Sequence, residues 1–391
     1  MGKLSFFLVA LSTIVCGCIN YSAQGLVQPV FIVSDVGNNR VLVWKNGSGP
    51  FAASPDLVLG QPNFSSNSPG SSQATFNTPN AYWDGTHLLV ADFSNNRVLI
   101  WKSLPTSNQQ PADLVLGQPD FNQNAPNNGG ISASSLKNPI RAWSDGVHLM
   151  VSDWANLRVL GWRSFPTTIN QPADFVLGQT NFSGSAFVCN SYGVGPVEMA
   201  YDGRFYIVDD GGARIMIWNA LPQTTGQPAD VVLGEPNMNT CVNGIGASGV
   251  GNPFGITLDS KHVAIADWGN HRVLIWNSKP TVNGQPADVV VGQASMMNTA
   301  GVCTAAGLTA ANMCLAWGVT WGPGLFVSDG SNNRIMVWNS WPTTNGQPAD
   351  YILGQPSSSS FSPGLSPTTY TTNQEVFSNL SVPGLIRPGG Y

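Results

Sequence analysis

The sequence predicts an all-β fold, a six-bladed β-propeller with four strands to each blade. Three observations carry that reading. One phrase recurs six times along the 391 residues, as VSDVGNNRVLVW, VADFSNNRVLIW, VSDWANLRVLGW, IVDDGGARIMIW, IADWGNHRVLIW and VSDGSNNRIMVW. A second phrase follows every copy, PDLVLGQ after the first and PADLVLGQ or a close variant after the others. The composition is poor in charge, at 9% Asp, Glu, Lys and Arg, against about 25% in an average soluble domain. Gly, Pro, Asn, Ser and Thr take the place of charge, which suits short strands joined by turns.

The first acid of the phrase sets the period. It falls at Asp35, Asp92, Asp153, Asp209, Asp267 and Asp329, with gaps of 57, 61, 56, 58 and 62 residues. An arginine lies five residues after each acid, and a tryptophan four residues after each arginine. Repeats at such a spacing mean an array of one supersecondary unit.

One unit reads as follows. NPIRAWSDG, residues 138 to 146, is a strand ending in a turn; HLMVSD is a second strand. The DWANLR turn comes next, where Asp and Asn side chains bond the backbone. RVLGW is a third strand, RSFPTTINQPAD a loop, and FVLGQ a fourth strand. Runs such as RVLIW are apolar on both faces, so they are covered above and below. Four strands, six units and double covering describe the propeller. Copy one lacks the first strand of the unit. FSNLSVPGLIRPGG, residues 377 to 390, is expected to supply it and to close the ring, which removes free sheet edges.

The first 18 residues read as a signal segment, with Lys3 ahead of an apolar run from Leu4 to Val15. That run is too short to span a bilayer. Val15-Cys16-Gly17-Cys18 resembles a bacterial lipobox, which makes Cys18 the expected site of lipidation, and the membrane is reached only through that anchor. Residues 19–25 form a short linker, and residues 26–391 the single propeller. Export to the cell envelope or the extracellular space places the remaining cysteines, Cys189, Cys241, Cys303 and Cys314, in an oxidising compartment. Cys189 and Cys241 lie in successive inter-blade loops, and Cys303 and Cys314 in one loop, so these are the expected pairs. Pairing of Cys241 with Cys303 is the alternative.

NPFGITLDSKHVAIADWGNHRVLIW, residues 252 to 276, resembles an NHL repeat, and the chain from about Leu26 onward resembles a secreted NHL-type propeller. The fourth copy departs most, with Gly211, Gly212 and Ala213 in place of the Asn-containing turn. The resemblance implies the fold. It leaves function open, since NHL-type propellers include protein-binding modules, RNA-binding modules, and a few lyases and hydrolases.

Residues that recur in every blade serve the scaffold. Subtracting them leaves Asp120, Glu198, Asp210, Glu235 and Glu375 among the acids, and singles out Arg141 among the bases. His87, His148 and His262 occupy one position in three blades, a ring rather than a cluster, so they do not meet zinc's need for ligands at about 2.0–2.3 Å. No cofactor is expected. The net charge of −5 and the lack of a basic stripe exclude nucleic acid as a partner. The innermost strands bring Asn80, Arg141, Glu198, Gly255 and Gly318 to the channel. This asymmetry nominates Asn80, Arg141 and Glu198, with Trp317 as an aromatic wall, as a ligand site. The competing reading is an ion pair between Arg141 and Glu198. Phe64, Phe121, Phe187, Met238 and Met296 in the long loops, and Trp154 and Trp268 in the turns, either meet a partner or pack under their own loops.

These features favour a non-catalytic surface or periplasmic module that recognises a protein, peptide or glycan. One alternative is a channel enzyme resembling calcium-dependent lactonases or peptide α-amidating lyases, for which Glu198 and Asn80 are the only evident ligands. The other is a structural subunit of a surface assembly.

Overall fold

A computed structural model describes residues 30–45, 54–322, 324–353, 355 and 357–359. Cys18, the signal segment, the linker and the closing strand expected at 377–390 lie outside the described residues. Among the described residues, twenty-three strands form six antiparallel sheets. The first sheet holds β1 (Phe31–Asp35), β2 (Arg40–Trp44) and β3 (Leu57–Leu59), three strands among the described residues. The other five have four strands each, in sequence order. These are β4 (Pro79–Trp83), β5 (Leu88–Asp92), β6 (Arg97–Trp101) and β7 (Leu114–Leu116), then β8 (Pro139–Ser144), β9 (Leu149–Asp153), β10 (Arg158–Trp162) and β11 (Phe175–Leu177). The fourth and fifth are β12 (Pro196–Tyr201), β13 (Phe205–Asp209), β14 (Arg214–Trp218) and β15 (Val231–Leu233), and β16 (Pro253–Leu258), β17 (Val263–Asp267), β18 (Arg272–Trp276) and β19 (Val289–Val291). The sixth is β20 (Ala316–Trp321), β21 (Leu325–Asp329), β22 (Arg334–Trp338) and β23 (Tyr351–Leu353).

The core lies between blades. Each sheet is apolar on both faces, so every apolar cluster joins two adjacent blades. Val90 and Trp101 of the second blade pack with Val41 and Val43 of the first. The same arrangement continues round the ring. Val33, Leu42 and Val58 of the first blade meet Phe326, Ile335 and Val337 of the sixth, which completes the circle.

The recurring phrase explains itself locally. In β10, Arg158 Nε donates to Asp153 Oδ2 at 2.6 Å across the turn. Its Nη2 donates to the carbonyls of Ser132 and Ser135 in the preceding loop, and Nη1 to Phe182 in the following one. Each of the six arginines bonds the carbonyl of the residue 24 positions on. The guanidinium fork thus ties a turn to the two loops flanking its blade. Trp101, Trp162, Trp218, Trp276 and Trp338 each donate Nε1 to the carbonyl nine residues later.

The fourth turn departs as its sequence suggests. In other blades an Asn side chain, such as Asn95 or Asn270, bridges the turn acid to a loop. In the fourth blade Gly212 donates its backbone N–H to Asp209 Oδ1 instead. A Cβ at Gly212 would lie 2.4 Å from Asp209 Oδ2, so no side chain fits.

Candidate functional site

The channel wall owes its shape to one extra residue. Five positions separate Pro79 from Asp84 in the second blade, whereas six separate Pro139 from Asp145, Pro196 from Asp202 and Pro253 from Asp259. The second blade pairs in straight register. The third to sixth carry a register shift, after Pro139, Pro196, Pro253 and Ala316. A bulge re-aims the side chains around it. Here it falls at Ile140, Val197, Phe254 and the Trp317-Gly318 step. Ile140 and Phe254 pack against the cluster that contains Val197, and the Phe254 ring meets Trp317 edge to face at 4.7 Å.

The next position along each inner strand brings Asn80, Arg141 and Glu198 together. Arg141 Nε donates to Glu198 Oε2 at 2.6 Å, and its Nη2 lies 2.5 Å from the same oxygen. Arg141 Nη1 donates to Asn80 Oδ1, whose Nδ2 donates to the Ile140 carbonyl at 2.6 Å. Glu198 Oε1 accepts the Met199 N–H. Burial raises the Glu198 pKa, while Arg141 opposes the shift. The three residues therefore form one bonded chain across blades two, three and four. On the other side of the channel the inner strands touch. A Cβ on Gly255 would lie 2.9 Å from the Trp317 carbonyl and 3.1 Å from Gly318 Cα.

Trp317 joins a different group. Its ring lies against Gly330, where a Cβ would come within 2.2 Å of its Cδ1. It meets Phe254, and Trp268 at 5.5 Å, also edge to face. Both indole Nε1 atoms are buried and take no hydrogen bond among the described residues. All three aromatic residues are partly exposed. Asp210 connects to this group through Asn252. Its Oδ1 accepts Asn252 Nδ2 at 3.2 Å, and burial raises its pKa. A Cβ on Gly269, the neighbour of Trp268, would lie 3.3 Å from Asn252 Oδ1. Phe254 and the bulges were missed by sequence reasoning; the five-against-six count carried their signal.

The loop residues divide. Phe121, Met238 and Met296 are partly buried against the blade cores. Phe64 and Trp154 are exposed at 41% and 37%, and Trp154 lies 6.0 Å from Phe93 of the neighbouring turn. Glu235 is buried and accepts the Val242 N–H. His87, His148 and His262 each bond the aspartate three residues back at 2.9 Å, in separate blades.

Both expected disulfides are present, Cys189–Cys241 and Cys303–Cys314, and they fit an oxidising compartment. No helix among the described residues is long and apolar enough to cross a membrane. His271 lies near Cys303 and Cys314, but the bridge leaves no thiolate for a metal. Instead His271 Nδ1 accepts the Leu315 N–H at 3.0 Å. Asn39 and Asn96 do the same for Thr78 and Asn138 in their blades.

Burial lowers the His271 pKa below 6.5. Below that pH the unfolded chain binds a proton that the folded chain refuses. The contribution is full above pH 6.5 and falls as pH drops through it. His271→Asn keeps an acceptor and suits the left-handed backbone at φ 55°. The wild type should lose stability relative to His271→Asn as pH falls from about 7.5 to about 5. Parallel melting curves across that range would contradict this.

No known protein family and no curated protein matches the chain. Solved structures match at low identity. One is the nidogen/laminin complex, at 12% identity over 79% of this chain and 88% of that one, with a TM-score of 0.41. Another is BBS1N in complex with ARL6DN, at 16% identity over 83% and 80%, with a TM-score of 0.39. A third is a humanized mutant of the Chaetomium thermophilum Polycomb Repressive Complex 2, at 12% over 66% and 48%, with a TM-score of 0.40. The fold and the site together define a six-bladed β-propeller with an asymmetric channel.

Proposed function

We propose that this protein is an exported, NHL-type binding propeller without catalysis, and that it recognises a protein, peptide or glycan at its channel mouth. The observation that carries the reading is the asymmetry of the mouth. All six blades repeat one scaffold phrase, yet on the innermost strands blades two to four carry Asn80, Arg141 and Glu198 where blades five and six carry Gly255 and Gly318. In this reading Trp317 forms a wall for the ligand, and the polar chain forms a floor. Lipidation at Cys18 would hold the module at the cell envelope.

The enzyme reading draws less support. A divalent cation needs several oxygen ligands, and both Glu198 oxygens are already engaged by Arg141 and Met199.

The test is a glycan and peptide array probed with the purified protein, followed by titration of the best hit. Trp317→Leu should weaken binding about tenfold or more, the usual scale for a buried aromatic anchor. A protein that captures no array member, or a hit indifferent to Trp317, would contradict the proposal.

A further inference from the structure

We propose that the aromatic group of blades five and six, with Asp210, captures a lysine side chain presented by a peptide or protein partner. The inference rests on the binding reading above and specifies the ligand.

Three observations point the same way. Phe254, Trp268 and Trp317 meet edge to face at 4.7 and 5.5 Å and each keeps part of its surface exposed. Both indoles bury Nε1, so neither presents its N–H to solvent. A sugar bound there would receive no hydrogen bond from either indole. An ammonium needs only the electron-rich ring faces, and is attracted to them within about 6 Å.

Asp210 supplies the matching charge. It is the first residue of the fourth turn, where other blades carry Val36, Phe93, Trp154, Trp268 and Gly330. Its Oδ1 accepts one hydrogen bond, from Asn252, and its Oδ2 takes none among the described residues. No Lys, Arg or His forms an ion pair with it there, whereas the turn acids Asp92, Asp153, Asp209, Asp267 and Asp329 are all paired with arginine. Asn252 leads through Pro253 into Phe254, and the turn carrying Trp268 packs against Asn252, so the acid and the aromatic group share one rim. A half-buried carboxylate without a cation, joined through Asn252 to the strand and turn that carry partly exposed aromatic residues, is complementary to an alkyl ammonium. The four-methylene stem of lysine also suits apolar walls, with the charge at its tip.

The experiment titrates full-length protein with three peptides alike except at the central residue, which is lysine, trimethyllysine or norleucine, and with a neutral cello-oligosaccharide. Tryptophan fluorescence and calorimetry report binding. The lysine and trimethyllysine peptides should bind, and norleucine should bind at least tenfold more weakly. Asp210→Asn should weaken the lysine peptide about tenfold without shifting the melting temperature, and added salt should weaken it further. Equal binding of the norleucine and lysine peptides, an unaffected Asp210→Asn, or preferential binding of the oligosaccharide would overturn the inference. Array ligands that depend on Trp317 but ignore Asp210 would leave the binding function standing and remove only the lysine assignment. The same fluorescence assay on Trp317→Leu, whose fold is checked by melting, separates loss of the site from loss of the protein.

Discussion

Arg158→Leu should lower stability by about 3–5 kcal/mol, the usual cost of leaving one member of a buried pair alone. Both Arg158 and Asp153 are fully buried. The variant strands the Asp153 carboxylate and three loop carbonyls together. In a protein of this size that corresponds to a fall of about 5 °C in melting temperature. Burial raises the pKa of Asp153, and lifts Asp92 and Asp329 to about 6, despite the adjacent guanidinium groups. Desolvation therefore offsets much of the ion-pair attraction, and the loop carbonyls carry a large share of what the arginine contributes. Arg158→Lys, which keeps the charge but loses the fork, should recover little. Arg40→Leu should cost less, because Arg40 is 17% exposed and among the described residues bonds only Asp35 and Phe64. A melting temperature within 1 °C of wild type for Arg158→Leu would refute this account.

Arg141→Ala should cost about 2–4 kcal/mol, slightly below the figure for a fully buried pair because Glu198 is 17% exposed. The alanine leaves Glu198 and Asn80 facing a void. The double variant Arg141→Met/Glu198→Met removes both charges and fills the space, so it should return most of the stability. Thermal melts of wild type, Arg141→Met, Glu198→Met and the double variant settle it. A double-variant loss equal to the sum of the two single losses would show that the pair is not coupled. The double variant is also the right background for binding assays, because it separates loss of a ligand contact from loss of fold.

The scaffold was legible because it is written six times. Asp, Arg and Trp recur at fixed spacing, and each spacing corresponds to a hydrogen bond within or next to one blade. The channel was legible only in part. Asn80, Arg141 and Glu198 follow the same proline in their strands, so their common level could be read directly. The Arg141–Glu198 ion pair stood as the competing reading and is present; the bond to Asn80 could not be read, because Arg141 reaches it in another blade, 61 positions away. Trp317 was placed beside this group, yet its ring lies against Gly330, Phe254 and Trp268. The bulge explains the difference, since one added residue breaks the two-residue alternation on which a strand reading rests. For the same reason Phe254 escaped notice, while Asp210 had already stood out as an acid outside the scaffold.

The Cys189–Cys241 bridge has a topological consequence. The two cysteines are 52 positions apart, and β12 to β15 all lie between them. The fourth blade is thus a covalent circuit, entered and left at one point. A backbone cut inside it opens the circuit without dividing the molecule, so a nicked chain should migrate as two fragments only after reduction. An unfolded chain would be shorter in reach by the length of a whole blade. In the loop-entropy account, a circuit of this size removes about 4 kcal/mol of freedom from the unfolded state. The blade whose turn lacks the bridging asparagine is the one whose neighbouring loops are joined by sulfur.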